Sequence, residues 1–329
     1  MMFNRDGCAD ALRGLGGWVA VLLACLGAIS AQAQTAQAQT AQGTAQAQTA
    51  QAGSAPADSA AALRERHAAL QEPLRNNPFG RALHLDSVQN SGDLRGDIHA
   101  VVEHPFATLG AALGKAETWC DILILHLNVK QCSVARNAGA ATVAINVGRK
   151  FDQPIEETHR VDFSFRQVAS TPEYLHASLR ADSGPMGTRD YRIALQAVPL
   201  DDGRSFMHLS YSYGYGIAAR LALSAYLSTL GSGKVGFSVV EKRADGAPVH
   251  VGGVRGVVER NTMRYYLAID SYLGSLPAPP AQQVEKRLRD WFSATERYAL
   301  QLHEMSESEY LEMKRKEVAR RSAESKPPG

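Results

Sequence analysis

Histidine is the side chain best able to move a proton near neutral pH, and this chain of 329 residues carries ten. They are scattered along it, His84, His99, His104, His126, His159, His176, His208 and His250 among them. Acid–base work needs a histidine and a carboxylate that meet. Glu103-His104 is the local candidate, but adjacent strand residues point to opposite faces, so the two do not cooperate directly. The run Tyr211-Ser212-Tyr213-Gly214-Tyr215 sets tyrosines at alternate positions. They either offer hydroxyls to a ligand or pack at a strand edge before the next element. Gly231-Ser232-Gly233-Lys234 lacks the remaining glycine and the Ser/Thr of a phosphate loop and reads as a turn. No G-x-S-x-G elbow, H-E-x-x-H pair or P-loop is present, so the sequence announces no catalytic residue, metal or cofactor.

Cysteine chemistry depends on compartment, and the N-terminus speaks to that. Arg5 and Arg13 precede an apolar run from Gly17 to Ile29, and Ala31-Gln32-Ala33 offers small residues to a signal peptidase. The run is shorter than the roughly 20 residues that span a bilayer. Residues 1–33 are therefore expected to be a signal peptide, and the mature protein periplasmic or secreted. Val21-Leu22-Leu23-Ala24-Cys25 also resembles a lipobox, so a lipoprotein anchored through Cys25 is the alternative. Cys120 and Cys132 then remain as an even pair in an oxidising compartment, most simply a disulfide. Closing that loop stabilises a fold by about 3 kcal/mol in the entropy model. Two reduced core thiols are the alternative.

Residues 34–62 are Ala, Gln, Thr, Gly and Ser apart from Pro56 and Asp58, the only charge. Such a stretch cannot offset its chain entropy by burial and is expected to be a disordered linker. The chain beyond residue 62 has the length of one large domain with appendages. The formal net charge is +2, with both signs interspersed and no basic stripe, which argues against nucleic acid.

The elements that must position any site are set by periodicity. Residues 63–80 hold an N-terminal helix and lead-in, with the helix drawn over 58–75 and Asp58 or Ser59 as its cap. Period-two alternation then marks strands around 83–85, 94–102, 143–147, 161–165, 175–179, 191–195, 207–213 and 235–239. Asn90-Ser91-Gly92, Asp182-Ser183-Gly184-Pro185 and Asp201-Asp202-Gly203 supply turns, so the sheet is antiparallel with one apolar and one wet face. His84, His99, His176 and His208 fall on the wet phase. Short helices are expected at 105–113 and 216–230, while 119–127 suits helix or strand. Gly253 to Leu273 reads as a long helix with Val254, Val258, Tyr265, Ile269 and Tyr272 on its apolar stripe and Arg255, Glu259 and Arg264 off it. An amphipathic helix is expected over 281–302 within an appended segment 276–305. A charged tail, 306–329, begins with a capping box of Ser306 and Glu309.

This order of strands, two short helical segments, more strands and a closing helix resembles the helix-grip fold of the steroidogenic-acute-regulatory-related lipid-transfer (START) superfamily, here as an exported bacterial member. The segment Leu94-Arg95-Gly96-Asp97-Ile98-His99-Ala100-Val101-Val102-Glu103-His104-Pro105-Phe106-Ala107-Thr108-Leu109, followed by Trp119, carries the likeness best, which spans roughly residues 81–275. The helix at 216–230 and those after Pro280 depart from the simplest family plan. The resemblance implies an α+β domain in which a curved antiparallel sheet grips a long C-terminal helix, with extra C-terminal helices. It implies a lipid, a sterol- or hopanoid-like molecule or another apolar metabolite between sheet and helix. Phe163, Phe165, Met207, Leu209, Tyr211, Tyr213, Tyr265 and Ile269 are the candidate lining, and equally the residues a packed core would use. The basic run Lys314 to Arg321 suits contact with an anionic membrane surface or a solvated helix end. Transport of an apolar ligand is the first expectation. An envelope scaffold with a filled core and an enzyme on the same fold are the alternatives.

Overall fold

The computed structural model describes residues 58–217, 220 and 233–324. The signal segment, the linker up to residue 57, nearly all of the helix expected at 216–230 and the last five residues lie outside the described residues.

The chain opens with α1 (Ala60–Ala69) and α2 (Gln71–Arg75). Ser59 caps α1, its Oγ accepting from the Ala62 amide at 3.2 Å, so the helix starts inside the span drawn over 58–75 and takes in residues 60–62 of the expected linker. Then come β1 (Leu83–Gln89), β2 (Asp93–Val102), α3 (Phe106–Leu113), α4 (Ala116–Leu123), β3 (Val129–Asn137), β4 (Ala140–Val147), β5 (His159–Thr171), β6 (Tyr174–Ser183), β7 (Thr188–Pro199) and β8 (Ser205–Tyr215). A small hairpin, β9 (Val239–Lys242) and β10 (Pro248–His250), precedes α5 (Gly253–Ser275), α6 (Pro280–Glu296), α7 (Ala299–Leu302) and α8 (Glu307–Glu324).

The eight long strands form one sheet in the order β1-β2-β8-β7-β6-β5-β4-β3, and every neighbouring pair is antiparallel. Register shifts at Val129/Gln131, Gln167/Ala169 and Arg189/Arg192 add the local twist by which bulges bend strands. Helix α5 lies against β1, β2 and β8, and α4 fills the space between α5 and the β3–β4 end. The Cys120–Cys132 disulfide ties α4 to β3. This is an α+β helix-grip architecture, as expected. β2 and α5 approach so closely that a Cβ at Gly96 would fall on Thr262 Oγ1, nearer than real Cβ contacts allow. Only glycine leaves that room.

Several expectations are corrected. Strand β3 was not expected, because the buried Lys130 breaks the alternation that marks a strand. The ambiguous run 119–127 becomes the end of α4 and a turn. Residues 235–238 are not strand. The amides of Phe237 and Ser238 bond the Glu259 carboxylate of α5 at 2.6 and 2.9 Å instead of a neighbouring strand. The helix expected over 281–302 breaks after Glu296 into α6 and α7.

Helix α5 is buried on nearly every side, including Glu259, Arg260 and Arg264. The sheet covers one face, and α6, α7 and the 235–238 segment cover the rest. Its charges survive burial because they are paired. Glu259 also accepts from Ser238 Oγ at 2.7 Å, and Arg264 meets Glu304 at 2.8 Å. The outer face of the sheet is likewise not fully wet. Leu63, Leu70 and Leu74 of the N-terminal segment close a second small core on Tyr174, Val198 and Phe206, which buries His99 and His176.

Candidate functional site

The inner faces of β4, β5 and β8 diverge from the N-terminal half of α5 and leave a cavity of about 180 Å³. Ile145 and Val147 of β4, Val161 and Phe163 of β5, and Tyr211, Tyr213 and Tyr215 of β8 form the sheet wall. Each set has a spacing of two because alternate strand residues share a face. Val257, Asn261 and Tyr265 form the opposite wall, one helical turn apart along a single stripe of α5. His126, Asn128 and Val129 close one side, and the β6–β7 turn with Pro185, Met186 and Thr188 borders another. Met186 is exposed and held at φ 56°, a left-handed conformation that non-glycine residues adopt only where the surroundings impose it.

Aromatic rings dominate the lining. Tyr191 of β7 stacks on Tyr213 with centroids 5.2 Å apart and 13° between planes. Tyr265 meets Tyr211 edge-on at 5.1 Å and lies 5.1 Å from the His126 ring. Burial, reinforced by neighbouring phenols, raises the pKa of Tyr211 and Tyr213. Burial and Tyr191 raise that of Tyr265. All three remain neutral phenols at any physiological pH.

His126 is the polar exception, 3% exposed. Its Nδ1 accepts from the Asn128 amide at 3.1 Å, which places the imidazole proton on Nε2. That Nε2 is sealed from solvent, and a side-chain hydrogen bond with Asn261, on the same wall, favours the charged ring. Burial first, then the positive charges of Arg264 and Lys314, hold the imidazole's pKa well below its usual value. The ring is a neutral donor.

The segment that carries His126 is fixed by α8. Tyr310 donates to the Leu125 carbonyl at 3.0 Å. Lys314 donates to the carbonyls of His126 and Val129 at 2.7 and 2.9 Å. Lys130 reaches the Leu127 carbonyl at 2.9 Å and Glu317 at 3.2 Å. The basic run at the C-terminus is thus partly structural. Lys314 is fully buried and paired with Glu317, while Arg315, Lys316 and Arg321 pair with Glu285, Asp152 and Asp121.

Of the eight candidate lining residues, Phe163, Tyr211, Tyr213 and Tyr265 border the cavity. Met207, Leu209 and Ile269 are fully buried in the main core, and Phe165 packs half-buried against it. Met207, Leu209 and Ile269 share the inward phase of their elements but sit further along, where β8 and α5 are in contact. Sequence reasoning did not single out Tyr191, Asn261 or His126 for the lining. The stripe of α5 that faces the cavity, 257–261–265, carries an asparagine at its centre and so does not read as apolar. Glu103 and His104 turn to different partners, Arg204 and Asp270.

Sheet and gripped helix, with a cavity between them, define the class as a helix-grip protein. Among solved structures the chain is similar to Ara h 8.0201, with a TM-score of 0.32 and 10% identity over 59% of this chain and 99% of that one. It is similar to norcoclaurine synthase from Thalictrum flavum, with a TM-score of 0.30 and 10% identity over 45% of this chain and 82% of that one. It is also similar to human StAR-related lipid transfer protein 5, with a TM-score of 0.29 and 8% identity over 51% of this chain and 89% of that one. No family model matches the sequence, and no curated protein matches it. Likeness at these TM-scores is one of outline, and the helix-grip description stands on the strand order and the packing of α5.

Proposed function

We propose that this chain is an exported carrier that holds a small apolar ligand between its sheet and α5. The observation behind this reading is the cavity of about 180 Å³ walled by Val, Ile, Phe and Tyr side chains. Burial of apolar surface there would supply affinity at roughly 25 cal/mol per Å². Phe163, Tyr211, Tyr213 and Tyr265 are the ligand-contacting residues in this reading. The signal-peptide pattern of residues 1–33 and the Cys120–Cys132 disulfide support an oxidising compartment.

Size narrows the occupant. Sites for drug-sized ligands run to about 300–1,000 Å³, whereas a cavity of roughly 150 Å³ accepts benzene. A whole sterol or hopanoid therefore exceeds this space, and a single substituted ring or a short acyl segment suits it. Native mass spectrometry of the mature protein, followed by organic extraction, tests the reading. A small apolar species should co-purify and disappear when Val161→Phe fills the space. A solid core that takes up no apolar probe would overturn it.

A further inference from the structure

The outer face of the sheet carries positive charge that the fold does not use. Arg180 of β6 and Arg192 of β7 are direct cross-strand partners, and alternation points both away from the core. Like charges directly opposite one another destabilise a sheet. Arg166 of β5 is opposite Ser178, which places it diagonal to Arg180 on the same face. All three are exposed. Other arginines of these strands have partners, Arg160 with Asp162 and Arg189 with Asp190. The guanidinium groups of Arg166, Arg180 and Arg192 meet no carboxylate among the described residues, Asp182 of the same face included. β5, β6 and β7 are interior strands, so these are not the charges that guard a sheet edge from pairing.

We propose that this face docks on an anionic bilayer surface, with Arg166, Arg180 and Arg192 set against phospholipid headgroup phosphates. Arginine's planar donor fork suits phosphate, and each basic side chain near an anionic membrane adds attraction. Neighbouring strands lie roughly 5 Å apart, so the three engage adjoining headgroups together. Single-stranded nucleic acid calls for stacking aromatics, and no Phe, Tyr or Trp is exposed on these strands. Val168, two residues from Arg166, and Val88, opposite Arg95, are exposed instead, and they suit an interface with apolar depth below its charges. The N-terminal segment arrives at the same face. Asp58 accepts from Gln196 Nε2 at 2.9 Å, four residues along β7 from Arg192. A lipid on Cys25 would tether the molecule through this segment. The C-terminal basic run is less suited, since its charges pair within the fold. Docking of this kind is independent of what occupies the cavity.

Vesicle flotation of the mature protein is the test. The protein should float with phosphatidylcholine vesicles that contain about one third phosphatidylglycerol and not with phosphatidylcholine alone, and raised salt should release it. Arg166→Gln, Arg180→Gln and Arg192→Gln should each weaken partitioning about fivefold, and the three together about a hundredfold. Lysine at the same three positions keeps the charge and should keep most of the binding. Arg297→Gln, at an exposed arginine between α6 and α7, should change nothing. Because the glutamines relieve repulsion, these variants should melt no lower than the unaltered protein, which separates lost binding from lost folding. Equal partitioning of the unaltered protein and the triple glutamine variant, equal flotation with both vesicle types, or flotation with neither would overturn the proposal. Retention on DNA or heparin without vesicle binding would overturn it in favour of a soluble polyanion.

Discussion

The imidazoles of His99 and His208 stack on the outer face of the sheet, with centroids 4.2 Å apart and 2° between planes. His208 Nε2 contacts Asp97 Oδ1 at 2.7 Å, and Arg95 pairs with the same carboxylate at 2.8 Å. Burial opposes the Asp97 charge, but the bonds from His208 and Arg95 outweigh it and bring its pKa down to about 2. Burial, then His208, lowers His99 to about 3, with Arg66 of α1 and His84 of β1 acting in the same sense.

This arrangement predicts acid lability. Below pH 6.5 the unfolded chain protonates His99, while the folded chain resists down to about pH 3. The unfolded state then binds more protons, so stability falls as pH falls through that window. His67, His126 and His176 are lowered as well and add to the loss. Below pH 3.8, protonation of Asp97 in the unfolded chain extends it in the same direction. Urea unfolding at pH 7 and pH 4 should differ by several kcal/mol, and His99→Phe should remove about 2–3 kcal/mol of that difference. An unchanged pH slope in this variant would show that His99 is not the main source.

Loss of the disulfide should be felt between α4 and β3. Cys120→Ser with Cys132→Ser, or reduction, should lower stability by about 2–4 kcal/mol. Chemical denaturation with and without reductant checks this.

Lys314 is 0% exposed and its ammonium makes three hydrogen bonds. Burial brings its pKa down to about 8 despite Glu317. Lys314→Met removes a donor from the His126 and Val129 carbonyls and leaves Glu317 with Lys130. A loss of about 3–5 kcal/mol is expected, as for other broken buried pairs. Calorimetric melting should show it.

Gly96→Ala should destabilise, because the new methyl meets the Thr262 hydroxyl on a helix that cannot retreat. Overpacking of this kind costs roughly 1–3 kcal/mol. Thr262→Ala in the same chain removes the Oγ1 that the new methyl meets and should recover part of the loss, read by the same melts.

The sheet was legible because Val143-Ile145, Val161-Phe163 and Leu209-Tyr211-Tyr213 alternate with polar neighbours, and the turns at 90–92 and 201–203 carry their own chemistry. α5 was legible as a helix but not as a central one. Its Glu259 and Arg264 look solvent-facing until the 235–238 segment and Glu304 bring partners from afar. The same reason hid Lys130, whose buried charge breaks the alternation of β3 and is answered by Glu317 far along the chain. The tyrosines of β8 pointed toward a cavity, but its position along the sheet depends on where α5 pulls away from the strands. No local pattern records that divergence, so Met207 and Ile269 could not be told from Tyr213 and Tyr265.

The central claim is that the space between β4, β5, β8 and α5 receives an apolar ligand. Methyl-resolved NMR titration of the mature protein with isopropylbenzene addresses it directly. Shifts should concentrate on Val129, Ile145, Val147, Val161 and Val257, the aliphatic lining of the cavity, and saturate with a single isotherm. Methyls of the outer core such as Leu63 and Val198 should stay still. Absence of any saturable shift at those five positions, or shifts spread evenly over the outer surface, would contradict the account.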